Sequence, residues 1–306
     1  MIVVAGESLI DLVPQRAAAG GRPLPALLPR LGGGPYNTAV ALGRLGAPVT
    51  FCSRVSTDGF GEALLGGLHA AGVGTSLVQR GPEPTTLAVA SIGADGSAHY
   101  GFYANGSADR LFELPTELPE EVRALAFGTC SLALEPGASA YEALLRREAS
   151  RGRFTLLDPN VRQGLIPDGE AYRARFDGWL PSVSLLKLSE DDAAWLGGDP
   201  GRWLAGRGPA AVVVTRGDQG LTVFTRQGRK VSVPAEPVTV VDTIGAGDTV
   251  NAALLHALGR RDALSPGALD AMDTIDWTDV LEFAARAAAL TCSRTGAEPP
   301  YAHELG

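Results

Sequence analysis

Residues 238–258 read VTVVDTIGAGDTVNAALLHAL. Val238–Val241 is a short β-branched run and Thr249–Leu258 carries a helical pattern, so Gly245-Ala-Gly-Asp248 is expected at a strand-to-helix turn. The start of a helix presents unpaired N–H groups and the positive end of the dipole, and glycine lets the backbone come close to an anion. Asp248 admits two readings there. It is an ordinary N-cap, for which Asp is among the favoured residues, or it is a carboxylate that touches a substrate. A base beside an anion hole suits phosphoryl transfer, which needs stabilised phosphate charge and a group that takes the acceptor's proton.

Two better-known phosphate loops do not fit. A P-loop needs a lysine after its last glycine, and neither Lys187 nor Lys230, the only lysines, follows a glycine. A dinucleotide fingerprint needs GxGxxG after the first strand, whereas here that strand leads into Gly6-Glu-Ser-Leu-Ile-Asp11, and GAGDTV lacks the third glycine.

Outward from the turn, apolar runs of strand length alternate with helical periodicity, the pattern of a parallel sheet covered on both faces. Strands are expected at Ile2–Ala5, Val49–Cys52, Ala124–Phe127, Phe154–Leu157, Ser184–Leu188 and Ala211–Thr215. Helices are expected at Asn37–Leu45, Gly61–Ala71, Ala138–Ala149 and Asp279–Arg294. Two stretches break the alternation. Leu9–Leu31 carries Pro14, Gly20, Gly21, Pro23, Pro25 and Pro29. Thr86–Phe112 reads as two strands around an Asp95-Gly96 turn. One α/β core with a small β-rich lid is the simplest account.

The composition favours a small molecule as partner. The 306 residues are 45% hydrophobic and 20% charged, enough for a substantial core. A net charge of -8 argues against a nucleic-acid footprint. Three scattered cysteines suggest neither a disulfide framework nor a metal site, and a reducing cytoplasm is expected. MIVVAGESLIDL has no basic leader and reaches Glu7 too soon for a signal peptide or membrane span.

A second glycine cluster, Gly32-Gly-Gly-Pro-Tyr-Asn37-Thr-Ala-Val-Ala-Leu-Gly-Arg-Leu-Gly46, again runs into a helix. GGGPYNTAVALGRLG followed by VTFCSRVSTDGFGEAL is similar to the first signature of the PfkB (ribokinase-type) carbohydrate kinases, and DTIGAGDTVNAALL resembles the second. The similarity of organisation runs from Met1 to about Pro300. It implies a Rossmann-like three-layer α/β sandwich: one kinase core over residues 1–306, with a small β-sheet lid from about 10–31 and 86–112. It also implies an ATP-dependent sugar kinase in which Asp248 takes the hydroxyl proton and the amides of Gly245, Ala246 and Gly247 stabilise the transferred phosphoryl group.

The resemblance assigns further residues. Asp11, Gly33, Gly34 and Asn37 are expected to bind sugar hydroxyls, with Glu135 reaching the same pocket; locally each could instead serve a turn or a solvated loop. Thr215, Gly217 and Gly220 are expected along the nucleotide, with Lys187 and Asn251 nearby. Ser189-x-x-Asp192 stands where the family has Asn-x-x-Glu linked to Mg²⁺ and phosphate, with Asp192 acting through water; the alternative is an acidic first helical turn. Asp242, with backbone oxygens of Ile244 and Arg294, falls where many relatives enclose a monovalent cation such as K⁺.

Phe102-Tyr-Ala-Asn-Gly-Ser-Ala-Asp109 and Leu157-Asp-Pro-Asn-Val-Arg162 resemble the fructokinase-like branch. Phe102 or Tyr103 would cover a sugar face or pack the lid. Asp158 and Arg162 would meet the acceptor or form a structural ion pair. Fructose, phosphorylated at its 6-hydroxyl, is the expected acceptor. A 2-keto-3-deoxygluconate kinase, which shares the GE start, is the alternative, and a non-catalytic sugar or nucleotide binder is the competing class. A homodimer through the lid follows from the resemblance alone.

Overall fold

The structure, a computed structural model, describes residues 1–15, 25–92 and 98–306. The expected Asp95-Gly96 turn and the Gly20-Gly21-Pro23 stretch lie outside the described residues. In chain order the strands are β1 (Ile2–Ala5), β2 (Leu9–Pro14), β3 (Leu27–Gly32), β4 (Val49–Ser56), β5 (Gly74–Gly81), β6 (Thr86–Ile92), β7 (Ala98–Tyr103), β8 (Ala124–Gly128), β9 (Phe154–Asp158), β10 (Leu185–Ser189), β11 (Ala211–Thr215), β12 (Leu221–Thr225) and β13 (Lys230–Val233). The helices are α1 (Gly34–Arg44), α2 (Gly59–Ala70), α3 (Gly137–Ser150), α4 (Gly169–Trp179), α5 (Glu190–Trp195), α6 (Pro200–Leu204), α7 (Ala246–Arg260), α8 (Pro266–Ala271) and α9 (Thr274–Cys292).

The large sheet runs β13-β12-β11-β10-β9-β8-β1-β4-β5. From β11 to β5 neighbouring strands are parallel, whereas β12 is antiparallel to both β11 and β13. The expectation of a parallel sheet is therefore corrected to a mixed one. The hairpin was hidden because Leu221–Val233 is short and polar at its centre, which removes the long apolar run by which a buried strand is recognised.

Strand geometry assigns alternate residues to opposite faces. Ile2 and Val4 pack with α1, α2, α7, α8 and α9, while Val3 and Ala5 pack with α3, α4, α5 and α6. Ala211 and Val213 divide from Val212 and Val214 in the same way. Two helical layers thus cover one sheet, as both-face burial of the apolar runs requires. The two segments that broke the alternation pair with each other: β3-β2-β6-β7 form a second, four-stranded sheet, with β2 parallel to β6.

The chain goes from β1 to β4 and β5 on one side, then returns to β8 on the other side of β1. Such a reversal opens a crevice at the carboxyl ends of the strands, where ligands of open α/β sheets bind.

Val238–Val241 is not a strand. Pro234 and Pro237 withhold ladder donors, and the valines lie exposed, Val240 at 60% and Val241 at 58%. Helix α7 starts three residues earlier than its apolar pattern, at Ala246.

Candidate active site

Helix α7 opens on Gly245, whose φ of 78° is left-handed and suits glycine; a Cβ there would also meet Ala297 Cβ at 2.6 Å. Asp248 is therefore not the N-cap. It sits in the first turn, and its carboxylate accepts from Asn37 Nδ2 at 2.9 Å instead of from its own helix. Asn37 lies one turn into α1, which Gly33 starts with φ 106° and whose Cβ would meet the Glu7 carbonyl oxygen at 2.8 Å. The two glycine clusters thus bring two helix starts face to face at the carboxyl edge of the sheet. Asp248 is 8% exposed, and burial lifts its pKa to about 7, against the opposing effect of the Asn37 hydrogen bond.

A cleft of about 300 Å³ stands above this pair. From the sequence-selected residues it gathers Asp11, Gly33, Gly34, Asn37, Phe102, Arg162, Ile244, Gly245, Gly247 and Asp248. Asp11 on β2 and Phe102 on β7 come from the second sheet, which therefore forms one wall. Burial raises Asp11 to about 6, and the Arg162 guanidinium opposes that rise.

Glu7 and Thr129 also line the cleft and were not singled out in the sequence. Glu7, 2% exposed, accepts from the hydroxyls of Thr129 and Ser131 and from the Ser131 amide at 3.0 Å. Burial raises its pKa, and the two hydroxyls oppose the rise. Its position after the first parallel strand was an available signal. Thr129 has φ 59°, a conformation for which nothing in the residue type gave notice.

On the other side of the turn a second cleft of about 520 Å³ has Val238, Val240, Val250, Ala285, Ala288, Ala289 and Cys292 among its walls and Thr215, Gly217 and Gly220 along its edge. The exposed valines of the misread strand are thus walls of a cavity. Thr243 and Gly247 line both clefts. Ala246 directs its N–H to the Thr243 carbonyl at 3.3 Å, so Gly247 is the residue of the expected anion hole that fronts both spaces without a turn bond of its own.

Other selected residues lie beneath or away from the clefts. Lys187, 4% exposed, pairs with Asp158 Oδ2 at 2.8 Å, and Asn251 Nδ2 donates to the same oxygen at 2.7 Å. The Lys187 ammonium lies just under the turn, 3.0 Å from where a Cβ on Gly247 would be. None of these three lines either cleft. Asp158 forms the structural ion pair, but with Lys187 instead of Arg162. Removing one partner of such a buried pair costs about 3–5 kcal/mol.

Ser189 and Asp192 form a reciprocal capping box at α5, and Asp192 Oδ1 accepts from the Val161 amide at 2.9 Å. Both oxygens of Asp192 are engaged, and among the described residues no group of three His, Cys, Asp or Glu could hold a metal. The residues do not fit a protein-held Mg²⁺. Glu135 leaves the site: it pairs with Arg175 at 3.0 Å and caps Ser139 at the start of α3. Tyr103 is 69% exposed and turned from the cleft that Phe102 lines. Asp242 accepts from the amides of Ile244 and Gly296 at 3.1 and 2.9 Å, tying the turn to residues 294–297. The Arg294 guanidinium turns to Glu304 and the Pro299 carbonyl. No helix among the described residues is long and apolar enough to cross a membrane.

A family model described as pfkB family carbohydrate kinase matches residues 1–304. The chain is 39% identical over 282 residues to a fructokinase of Rhizobium leguminosarum bv. trifolii, covering 89% of this chain and 84% of that protein. It superposes on the fructokinase of Xylella fastidiosa with bound ATP at a TM-score of 0.87 and 28% identity, covering 99% of this chain and 96% of that one. With the fructokinase of Vibrio cholerae O395 in fructose, ADP and calcium ion bound form the TM-score is 0.80 at 25% identity, covering 97% and 94%.

Proposed function

Because the chain belongs to the pfkB family of carbohydrate kinases, we propose that it transfers the γ-phosphoryl group of ATP to the 6-hydroxyl of fructose. The observation that carries this reading is the position of Asp248, a buried carboxylate with a pKa of about 7 in the wall of the first cleft, next in sequence to Gly247, which lines both. The smaller, polar cleft takes the sugar, and Asp11, Asn37 and the Gly33-Gly34 backbone meet its hydroxyls while Phe102 covers one face. The larger, apolar cleft takes the nucleotide, its base against Val238, Val240 and Ala289. The relatives that bind ATP, fructose and ADP support this division.

In the reaction Asp248 accepts the hydroxyl proton as the oxygen attacks the γ-phosphorus. The Gly247 end of α7 and the Lys187 ammonium beneath it offset the charge on the transferred group. The second sheet closes over the sugar as a lid, holds its hydroxyl at the γ-phosphate and excludes water. A divalent ion such as Mg²⁺ is expected to travel with the nucleotide phosphates, keeping waters in its shell; no step is assigned to a metal held by the protein. A monovalent cation such as K⁺ would draw on backbone oxygens near Asp242, Ile244 and Arg294. The exposed Leu27, Leu28 and Leu31 of β3 support a homodimer through the lid. The three free cysteines accord with a reducing cytoplasm.

Arg162 on the sugar cleft favours a second reading, an acidic sugar such as 2-keto-3-deoxygluconate. A coupled ADP-release assay with fructose, ribose, ketodeoxygluconate, tagatose 6-phosphate and adenosine decides between them. Fructose is expected to give the highest kcat/KM; turnover mainly with the acid would move the assignment there, and turnover with none would leave a binder.

A further inference from the structure

Beneath the base lies a small pocket of about 10 Å³, bounded by Thr38, Thr129, Leu156, Asp158, Asp248 and Asn251 among others. Two of its walls end in acceptors without donors. Asp158 Oδ2 receives Lys187 and Asn251, but Asp158 Oδ1 has no partner among the described residues, and neither has Asn251 Oδ1. Both residues are at least 96% buried. The hydroxyls on the cavity wall cannot serve these oxygens, because Thr38 donates to the Asp248 carbonyl and Thr129 donates to Glu7. A buried oxygen left unpaired costs about 1–3 kcal/mol, so a donor from beyond the described residues would stabilise these two. The volume is about that of one water probe, and a buried water typically makes about three hydrogen bonds.

We propose that this cavity is a site for a single structural water that joins Asp158 to Asp248 and makes Asp158 a positioning residue for the base. The water donates one hydrogen to Asp158 Oδ1 and the other to Asn251 Oδ1. Its free lone pair faces Asp248 and accepts from that carboxyl once it carries a proton. In the transfer step the sugar O–H bond breaks, the O–H bond on Asp248 forms, and the new carboxyl proton has an acceptor beneath it. Lys187 donates to Asp158 at 2.8 Å, so the chain Lys187–Asp158–water–Asp248 fixes the base from below while Asn37 fixes it from the side. The last link rests on the reading of Asp248 as the base; the water site itself does not.

Among the described residues, the charged and titratable groups facing Asp248 are Asp158 on β9, Lys187 on β10, Arg162 after β9, Glu7 after β1, Cys130 after β8 and Asp11 on β2. In Asp158→Asn one negative charge is lost and Lys187 is left unpaired. Both changes favour ionised Asp248, so the acid limb of the kcat–pH profile is expected to move down by about one unit. A purely structural role for Asp158 would lower kcat without moving the limb, and an unmoved limb overturns the coupling. A crystal structure of the unaltered protein at about 1.2 Å resolution supplies a test that needs no variant. One density peak is expected within about 3.2 Å of both Asp158 Oδ1 and Asn251 Oδ1. An empty cavity, or a metal ion with a complete shell in its place, overturns the water site. Should Asp248→Asn remain active while the peak is present, the base assignment fails and the water site stands.

Discussion

Asn37 and Asp248, 211 residues apart, are joined by a 2.9 Å hydrogen bond at the meeting of two helix starts. The bond orients a carboxylate that burial would otherwise leave protonated at neutral pH, and it does so from an amide that carries no charge of its own.

Replacing Asp248 by Asn removes the proton acceptor and keeps the shape. Turnover is expected to fall by about 10²- to 10⁴-fold with little change in the KM for sugar. Steady-state kinetics at saturating ATP check this, and near-normal turnover would rule out the base assignment.

Replacing Asn37 by Ala deletes a bond that favours the ionised carboxylate. The pKa of Asp248 rises from about 7, so the acid limb of kcat moves to higher pH and activity recovers as pH is raised. This shift is opposite in sign to that expected for Asp158→Asn, and parallel pH profiles of the two variants test both signs.

The same buried carboxyl affects stability. Its folded pKa of about 7 lies above the ordinary 3.8, so the stability of the neutral form is fully present below pH 3.8 and lost as pH rises through about 7. The loss amounts to at most about 4 kcal/mol for a shift of about three units. Asp248→Asn, which cannot ionise, is expected to melt higher than the unaltered protein at alkaline pH and to converge with it in acid. Melting curves across pH check this; a variant less stable throughout would contradict it.

Gly34→Ala probes the sugar cleft. The added Cβ would come within 2.5 Å of Thr129 Cγ2 and 3.2 Å of Asp248 Oδ1. Overpacking of this kind costs about 1–3 kcal/mol, expected as roughly a 5- to 150-fold loss in kcat/KM for sugar. The nucleotide cleft is not touched, so binding of an ATP analogue measured by calorimetry should be unchanged.

The α/β class was legible because the central strands of the large sheet are buried on both faces and leave unbroken apolar runs, of which Ala211–Thr215 is the clearest. The β12–β13 hairpin and β5 were not, since β13 and β5 are the edges of the sheet, where no such run is needed, and β12 is interrupted by threonines. The meeting of Asp11, Gly33, Asn37 and Asp248 at one cleft was implied by the resemblance of the two glycine-rich stretches to the kinase signatures, and not by the residue types alone. What Lys187, Asp158 and Asn251 do could not: a residue type does not reveal whether its charge meets a ligand or another side chain, and here all three meet one another. Ser189 and Asp192 illustrate the same limit, for the spacing that resembles a metal motif is also that of a capping box.

The order in which the site is completed has a consequence for the chain during its synthesis. Its first strand lies between β4 and β8, its first glycine cluster precedes residue 50, and Asp248 arrives only with α7. At about 5–20 residues per second, roughly 10–40 s separate the appearance of Asn37 from that of Asp248. Through that interval a growing chain can pair β1 with β4 and then with β8, yet the meeting of Asn37 with Asp248 is still missing.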